Sequence, residues 1–289
     1  MRAAILAFLL LLAPPLAAAE LKLATWNLAW LTLRPAEDPE LPRDLTRRRP
    51  EDFALLAAYA RRLDADVVAL QEVDGPEAAA RIFDPRTYEF HFTQERDIQR
   101  TGFAVRRGLP VTRNPDLEAL DLHPRARRSL RRGADITVES PGGRLRLLSV
   151  HLDAGCREGP IQAQPDRNCG KLARQAAVLA DWIAARRREG TGFAILGDFN
   201  RHMRDPQDEM LQMLAAAAPL SRATEGLSNP CWSDARGGRA FIDHILLGGP
   251  ARNWWQRDSL RVMVYAERGR AWRERLSDHC PVSIRLRLP

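Results

Sequence analysis

Phe193-Ala194-Ile195-Leu196-Gly197-Asp198-Phe199-Asn200 is a short apolar run that ends in glycine and then offers an acid and an amide two residues apart. A run of this length and composition predicts a buried strand. Side chains alternate along an extended chain, so Asp198 and Asn200 point to the same side of its exit. A carboxylate and a carboxamide at the mouth of a buried strand can hold a water or a phosphate. The plain alternative is a turn, which Gly, Asp and Asn all favour.

The balance shifts because other strand-like runs also carry polar groups at or near their ends. Leu21–Leu28 alternates, with Leu21, Leu23, Thr25 and Asn27 on one face. An amide on a core-facing strand is costly to bury unless it is bonded. Asp66–Val73 is β-branched and closes on Gln71-Glu72; a carboxylate there suits a hard divalent cation. Arg144–His151 alternates and ends in histidine, and Phe241–Leu247 holds Asp243 in an apolar setting, where a carboxylate needs a partner. Leu276–Ile284 sets Asp278-His279 before the last strand.

Phe90–Thr93 and Thr101–Arg106 are expected to pair as strands, and Ala134–Val138 to form another. Helices are expected from Pro50, whose first turn carries Glu51 and Asp52 and whose stripe is Phe53, Leu56, Ala60 and Leu63, and over Lys171–Arg188 and Glu209–Ala217. Arg34–Pro50 and Pro110–Pro124 read as loops, Arg47-Arg48-Arg49 as a solvated face, and Trp254-Trp255 as packing. Arg125–Arg132 holds five arginines in eight residues, of which Arg131 is nearest the next strand. No internal repeat or linker interrupts the alternation of strand and helix patterns, so one α/β domain is expected over residues 20–289.

Residues 1–19 have the pattern of a secretory signal peptide: Arg2, an apolar run over Ala3–Leu12, and Ala17-Ala18-Ala19 before Glu20. The run is too short to span a bilayer, so no stable membrane anchor is expected. Export to a periplasm or the cell exterior suits the four cysteines, Cys156, Cys169, Cys231 and Cys280. An even count in an exported chain favours two disulfides. Three pairings are open, and Cys156–Cys169 with Cys231–Cys280 is favoured because the first closes a short polar loop. The spacings resemble no zinc site. The net charge is +7, and a basic surface attracts polyanions. Yet Lys22 and Lys171 are the only lysines, so arginine supplies 42 of the 44 cations, a bias that GC-rich coding also produces.

Trp26–Leu28 (WNL), Leu70–Val73 (LQEV), Ser149–Leu152 (SVHL), Gly197–Asn200 (GDFN), Ile242–Ile245 (IDHI) and Ser277–Val282 (SDHCPV) resemble, in order and over nearly the whole chain, the motifs of the endonuclease/exonuclease/phosphatase superfamily. That group includes deoxyribonuclease I, AP endonucleases, neutral sphingomyelinases and inositol polyphosphate 5-phosphatases. The resemblance implies a four-layered α/β sandwich, two packed and mostly antiparallel sheets flanked by helices. It also implies phosphoester hydrolysis at one end, dependent on Mg²⁺ with Mn²⁺ as the alternative. Carried over by position, Glu72 is the main metal ligand, with Asn27 and Asp278 beside it. Asp198 and Asn200 orient water and phosphate, Asp243 supports His279, and His151 matches the deoxyribonuclease and sphingomyelinase branches. Arg131, with Asn27 and Asn200, would contact the phosphate. Imidazole titrates near neutrality, so two histidines could divide water activation and leaving-group protonation.

Two positions depart from the pattern. Ala29 stands where AP endonucleases carry an acid, which argues against abasic-site repair. Gln99 stands roughly where deoxyribonuclease I has a glutamate partner for its first histidine. The leading expectation is an exported nuclease acting on nucleic acid, with no obligate protein partner. The alternatives are a phospholipase C-like or phosphomonoesterase activity on lipid or inositol phosphates, for which Trp254-Trp255 is the one hint, and a non-catalytic binding module.

Overall fold

The computed structural model describes residues 20–126, 129–140, 143–162, 168–232 and 240–289; the expected signal peptide at residues 1–19 lies outside the described residues. The chain runs through β1 (Glu20–Leu31), α1 (Pro50–Leu63), β2 (Val67–Val73), α2 (Pro76–Ala79), β3 (Tyr88–Phe92), β4 (Arg100–Arg106) and β5 (Val111–Arg113). It continues with β6 (Ala134–Ser140), β7 (Gly143–His151), α3 (Asn168–Glu189), β8 (Gly192–Asp198), α4 (Glu209–Ala217) and β9 (Leu220–Arg222). It ends with β10 (Asp243–Gly248), α5 (Ala251–Trp254), β11 (Arg261–Val262), α6 (Arg270–Arg275) and β12 (Val282–Arg287). Two six-stranded sheets result, ordered β11-β12-β1-β2-β4-β3 and β5-β6-β7-β8-β10-β9. Each has one parallel pair, β1 with β2 and β7 with β8, and is otherwise antiparallel.

The layering follows from alternation. Leu21 and Leu23 of β1 and Val67 and Ala69 of β2 meet Ala194 and Leu196 of β8 between the sheets. The intervening residues Ala24, Trp26, Val68 and Leu70 face the other way, onto Leu56, Ala60 and Leu63 of α1. On the far side Phe193 and Ile195 of β8 pack on Leu172, Ala176, Leu179 and Ile183 of α3. Both faces of the central strands are buried, which is why they read as near-continuous apolar runs.

The sequence carries no internal repeat, but the topology does. β1-α1-β2-β3-β4 has the same chain order and strand neighbours as β7-α3-β8-β9-β10, with β12 and β6 occupying matching outer positions. A parallel pair needs a crossover, and a helix supplies it in each half. The C-terminal ends of β1, β2, β7 and β8 therefore share one pole of the sandwich with the N-terminal ends of their antiparallel neighbours β4, β10 and β12. Gly197 marks the close approach there. Its φ is +150°, and a Cβ would lie 2.0 Å from the Val150 carbonyl oxygen, so no other residue fits without displacing β7.

Several expectations need correction. The stretch Pro110–Pro124 is not all loop, because Val111–Arg113 adds an edge strand to β6. Phe53 is only half-buried, and Tyr59 takes its place in the stripe of α1. Of Arg47-Arg48-Arg49, only Arg49 is a solvated residue. Arg47 donates to the Arg34 carbonyl. Arg48 donates to the carbonyls of Leu28 (2.6 Å), Ala29 (2.9 Å), Trp30 (3.2 Å) and Leu276 (2.6 Å). A burst of three cations looked like surface because charge is usually solvated; the loop carbonyls that Arg48 satisfies lie far away in sequence.

Both favoured disulfides form, Cys156–Cys169 and Cys231–Cys280, with Cα separations of 5.0 and 5.6 Å. The first ties the loop after β7 to the first turn of α3, and the second anchors the residue that follows His279. Replacing either pair with alanines is expected to lower stability by about 2–4 kcal/mol, read from urea unfolding as a lower midpoint, with a slope that rises as the unfolded chain expands. A variant with the wild-type midpoint would show that the cross-link leaves stability unaffected.

Candidate active site

Register places the polar groups. Asp198 closes β8, and its ladder partners are His151 on parallel β7 and Asp243 on antiparallel β10. Asn27 pairs with Gln71 across β1 and β2. His279 sits three residues ahead of β12, whose Val282 pairs with Thr25 of β1. One carboxylate, one imidazole and a second carboxylate thus line up across sheet β7-β8-β10, and the facing sheet adds the rest.

Bulges do the remaining aiming. On β2 the ladder to β4 slips between Leu70 and Val73, with Glu72 at φ 58°. On β1 it slips between Asn27 and Leu31, with Ala29 at φ 44° and Trp30 at φ 57°. Asn200 has φ 51°. Left-handed backbone at a non-glycine residue costs on the order of 1–3 kcal/mol and persists where the surroundings over-determine it. Bulges re-aim side chains, and here two adjacent bulged strands turn Glu72 out of the ladder toward the pole.

Asn27 is fully buried, and its amide donates to Glu72 Oε1 (3.0 Å) and Asp198 Oδ2 (3.1 Å). Its own Oδ1 accepts from the Ala29 N–H (2.9 Å). Glu72 Oε2 accepts from the Trp30 N–H (3.2 Å) and from Gln99 Nε2 (2.5 Å). Nε2 of His151 and Nε2 of His279 each lie 3.7 Å from Asp198 Oδ2, and His151 Nε2 is 3.6 Å from Glu72. On its other nitrogen His279 meets Asp243 at 2.8 Å. The Ser277 hydroxyl donates to the Asn27 carbonyl (2.7 Å) and accepts from the His279 N–H (3.0 Å), which joins the two loops. Arg131 approaches both ring nitrogens of His151, at 3.2 and 2.9 Å; a neutral imidazole has a single acceptor nitrogen, so only one of the two contacts is a full hydrogen bond. The Asn200 N–H donates to Asp198 Oδ1 (2.8 Å), and its amide to the Leu152 carbonyl (3.0 Å).

Charge states follow from this packing. Burial raises the Asp198 pKa to about 7; Asp243 and Glu72 push the same way, while His279 opposes them. Burial alone would lower the His279 pKa, but Asp243, Asp198 and Asp278 outweigh it and raise it well above the ordinary value. Burial and then the charges of Arg131 and His279 push His151 well below it. The site therefore holds one histidine cationic and the other neutral.

Among the described residues, metal-sized groupings of ligand atoms are Glu72–His151–Asp198 and Asp198–Asp243–His279. Asp278 is in neither. Its side chain is half exposed, with oxygens 3.8 Å from His279 Nε2 and 3.8 Å from Arg273. Sequence reasoning passed over Ser277 and Arg48. It also passed over the chain Thr25–Gln71–Ser149, bonded at 3.1 and 3.0 Å, which links the two sheets beneath the site. The inward parity of Gln71 was the available signal.

Residues 24–279 match the model of the Endonuclease/Exonuclease/phosphatase family. No curated protein sequence matches the chain. Among solved structures, truncated Caenorhabditis elegans TDP2 is similar at TM-score 0.57 and 14% identity, covering 92% of this chain and 97% of that one. An endonuclease/exonuclease/phosphatase protein from Bacteroides vulgatus is similar at TM-score 0.58 and 14% identity, covering 94% and 100%. A variant of the 3′ phosphatase NExo from Neisseria, bound to a product DNA hairpin, is similar at TM-score 0.54 and 21% identity, covering 91% and 98%. At such identities the likeness is one of fold.

Asp243→Asn is expected to lower the His279 pKa, since a nearby opposite charge favours the cation; imidazole NMR titration measures it. A group whose folded pKa is raised adds stability that is complete below the unfolded value and is lost as pH rises through the folded value. The stability gap between wild type and Asp243→Asn should therefore be widest below about pH 6.5 and close on the alkaline side. An unshifted His279 in the variant would show that Asp243 does not set its charge.

Proposed function

Because the chain belongs to the endonuclease/exonuclease/phosphatase family, we propose that it is a divalent-metal-dependent phosphodiesterase that cleaves nucleic acid, as an exported enzyme. The observation that carries the reading is the grouping around Asp198 Oδ2, with Asn27 at 3.1 Å and both histidines at 3.7 Å. That is more machinery than a structural carboxylate requires.

The donor set suits a hard cation. Glu72 and Asp198 present carboxylate oxygens within 4.8 Å of each other and of His151, and the neutral Asn27 amide bridges them. We assign Glu72 as the principal ligand, with Asn27 and Asp198 beside it and Asp278 at the outer edge. Mg²⁺ or Mn²⁺ there would supply Lewis-acid stabilisation of the phosphoryl oxygens. The chain's own residues do the rest. Arg131 offers a bidentate cation to the phosphate beside His151. Neutral His151 can accept a proton, and cationic His279, held by Asp243, can donate one toward developing negative charge. Asp198 and the Asn200 amide position the attacking water between them.

Export is supported by the signal-like residues 1–19 and by the two disulfides, which persist in oxidising compartments. No described helix is long and apolar enough to cross a membrane. The lipid-phosphate alternative loses its one hint. Trp254 packs over Gly143 and Gly192, at the starts of β7 and β8, about 20 Å from their catalytic ends at strand rise.

The test incubates purified protein with plasmid DNA, a 3′-phosphorylated DNA hairpin, sphingomyelin and inositol phosphates, each with Mg²⁺ or EDTA. Nicking is expected that vanishes in EDTA and falls about 10²–10⁴-fold in His279→Ala. Glu72→Gln should shift the metal requirement to higher concentration. Turnover of the 3′-phosphate alone would make the enzyme a phosphomonoesterase, and turnover of lipid or inositol phosphate alone would replace nucleic acid as substrate. No turnover by a folded protein would leave a binding module.

A further inference from the structure

The chain has seven tryptophans. Trp26 and Trp232 lie in the apolar layer under α1, Trp182 in the layer under α3, and Trp254, Trp255 and Trp272 pack against the same clusters. Trp30 alone belongs to none of the three. A large aromatic held out of every core is the unusual observation, because burial is its ordinary stabilisation.

Its position is built rather than incidental. Between Asn27↔Gln71 and Leu31↔Val73, three residues of β1 span what Glu72 alone spans on β2. The surplus is absorbed by left-handed Ala29 and Trp30, which lift the indole out of the sheet while Leu28 and Leu31 stay fully buried. Two hydrogen bonds fix the lifted backbone: the Trp30 N–H to Glu72 Oε2 at 3.2 Å and its carbonyl from Arg48 at 3.2 Å. The residue is thus pinned to the reacting centre by its main chain, with its side chain half-buried at the groove wall.

Trp30 lines a groove of about 940 Å³ together with Ile98, Gln99, Leu130 and Arg131. The groove opens from the site itself, since Gln99 touches Glu72 and Arg131 touches His151. It is far larger than a phosphate and falls at the upper end of the range for small-molecule clefts, about 300–1,000 Å³. Among its described lining residues four are basic and five acidic. What the groove suits is one phosphate at Arg131 and a flat, neutral group beyond it.

We propose that the Trp30 indole is a stacking platform for the nucleobase next to the reacting phosphate, so that the preferred substrate presents an unpaired base there: single-stranded nucleic acid or a frayed end. The inference rests on the phosphodiesterase reading above. Base–aromatic stacking is indifferent to sequence because every base has a π face, and a base inside an intact duplex is already stacked on its neighbours. The platform therefore selects strand state rather than sequence.

The test compares wild type, Trp30→Ala and Trp30→Phe on a single-stranded oligonucleotide, a blunt duplex of the same sequence, and the single strand with abasic residues flanking the cleaved bond. Trp30→Ala is expected to raise KM on the single strand about 10-fold, within the range of one lost stack, with the loss falling on KM rather than kcat. Trp30→Phe should recover most of it, which separates loss of an aromatic face from loss of folding. On the abasic strand wild type and Trp30→Ala should converge. An unchanged KM in Trp30→Ala, or an equal loss on the abasic strand, would overturn the platform while leaving the phosphodiesterase reading intact. A wild-type protein that cleaves none of the three nucleic acids, yet turns over inositol phosphates or sphingomyelin, would overturn that reading and the platform with it.

Discussion

Asp198 is a carboxylate almost wholly removed from water, and much of the pole is organised around that fact. A buried carboxylate costs several kcal/mol unless neighbours answer it, and the answer comes from three separate strands' ends. Asn27 arrives from the other sheet, His151 from the parallel neighbour, and His279 from the loop ahead of the last strand. These groups reach Oδ2 only if both sheets end level with one another. The match of the two halves' topology, each with its parallel pair and its helix crossover, supplies that level. The Thr25–Gln71–Ser149 chain then pins the sheets together one layer below.

The same pole collects the backbone's strain. Ala29, Trp30, Glu72 and Asn200 all take left-handed φ values, and each lies at or beside the end of a central strand. The strain is held by groups outside the chemistry. Arg48 gathers four carbonyls from the β1 exit and the residue before Ser277. Burial pushes its pKa down to about 10, with nearby anions opposing, so it remains cationic at neutral pH. Cys231–Cys280 secures the chain immediately after His279. The loops of this pole are thereby denied the freedom loops ordinarily have.

What the sequence disclosed and what it hid divide along sequence distance. Parity within a strand is local, so the core faces of β1, β2 and β8 were legible from Leu21, Val67 and Ala194 onward, and polar residues at strand ends announced a shared pole. The two disulfides followed from loop length and count. Partnerships between distant segments were not legible. Nothing near Arg48 in sequence reveals the carbonyls it bonds, and three adjacent arginines imitate a surface. Bulges were hidden for a related reason. Whether Leu28, Ala29 and Trp30 continue a ladder or bulge out of it depends on β2, which offers only Glu72 opposite them. A single strand read alone cannot show that its partner is two residues short, so Trp30 passed unremarked.

The two halves match in backbone and differ in chemistry, and the difference is what makes the site polar in charge. At the head of β10 stands Asp243, and just ahead of β4, its counterpart, stands Gln99. Ahead of β12 stands His279, and ahead of β6 stands Arg131. At one pair of these positions, drawn from both sheets, a carboxylate meets an imidazole and stabilises its cation. At the matching pair a guanidinium meets the imidazole of His151 while the amide turns to Glu72; burial, and then the charges of Arg131 and His279, keep that ring neutral although Glu72 and Asp198 lie 3.6 and 3.7 Å from it. A symmetric pair of carboxylate-supported histidines on either side of Asp198 would have put two cations in contact with one anion. With an amide in place of one acid and a guanidinium in place of one imidazole, one histidine of the pole is held cationic and the other neutral. That is the charge pattern general acid–base chemistry draws on, one group able to give a proton and the other to accept one.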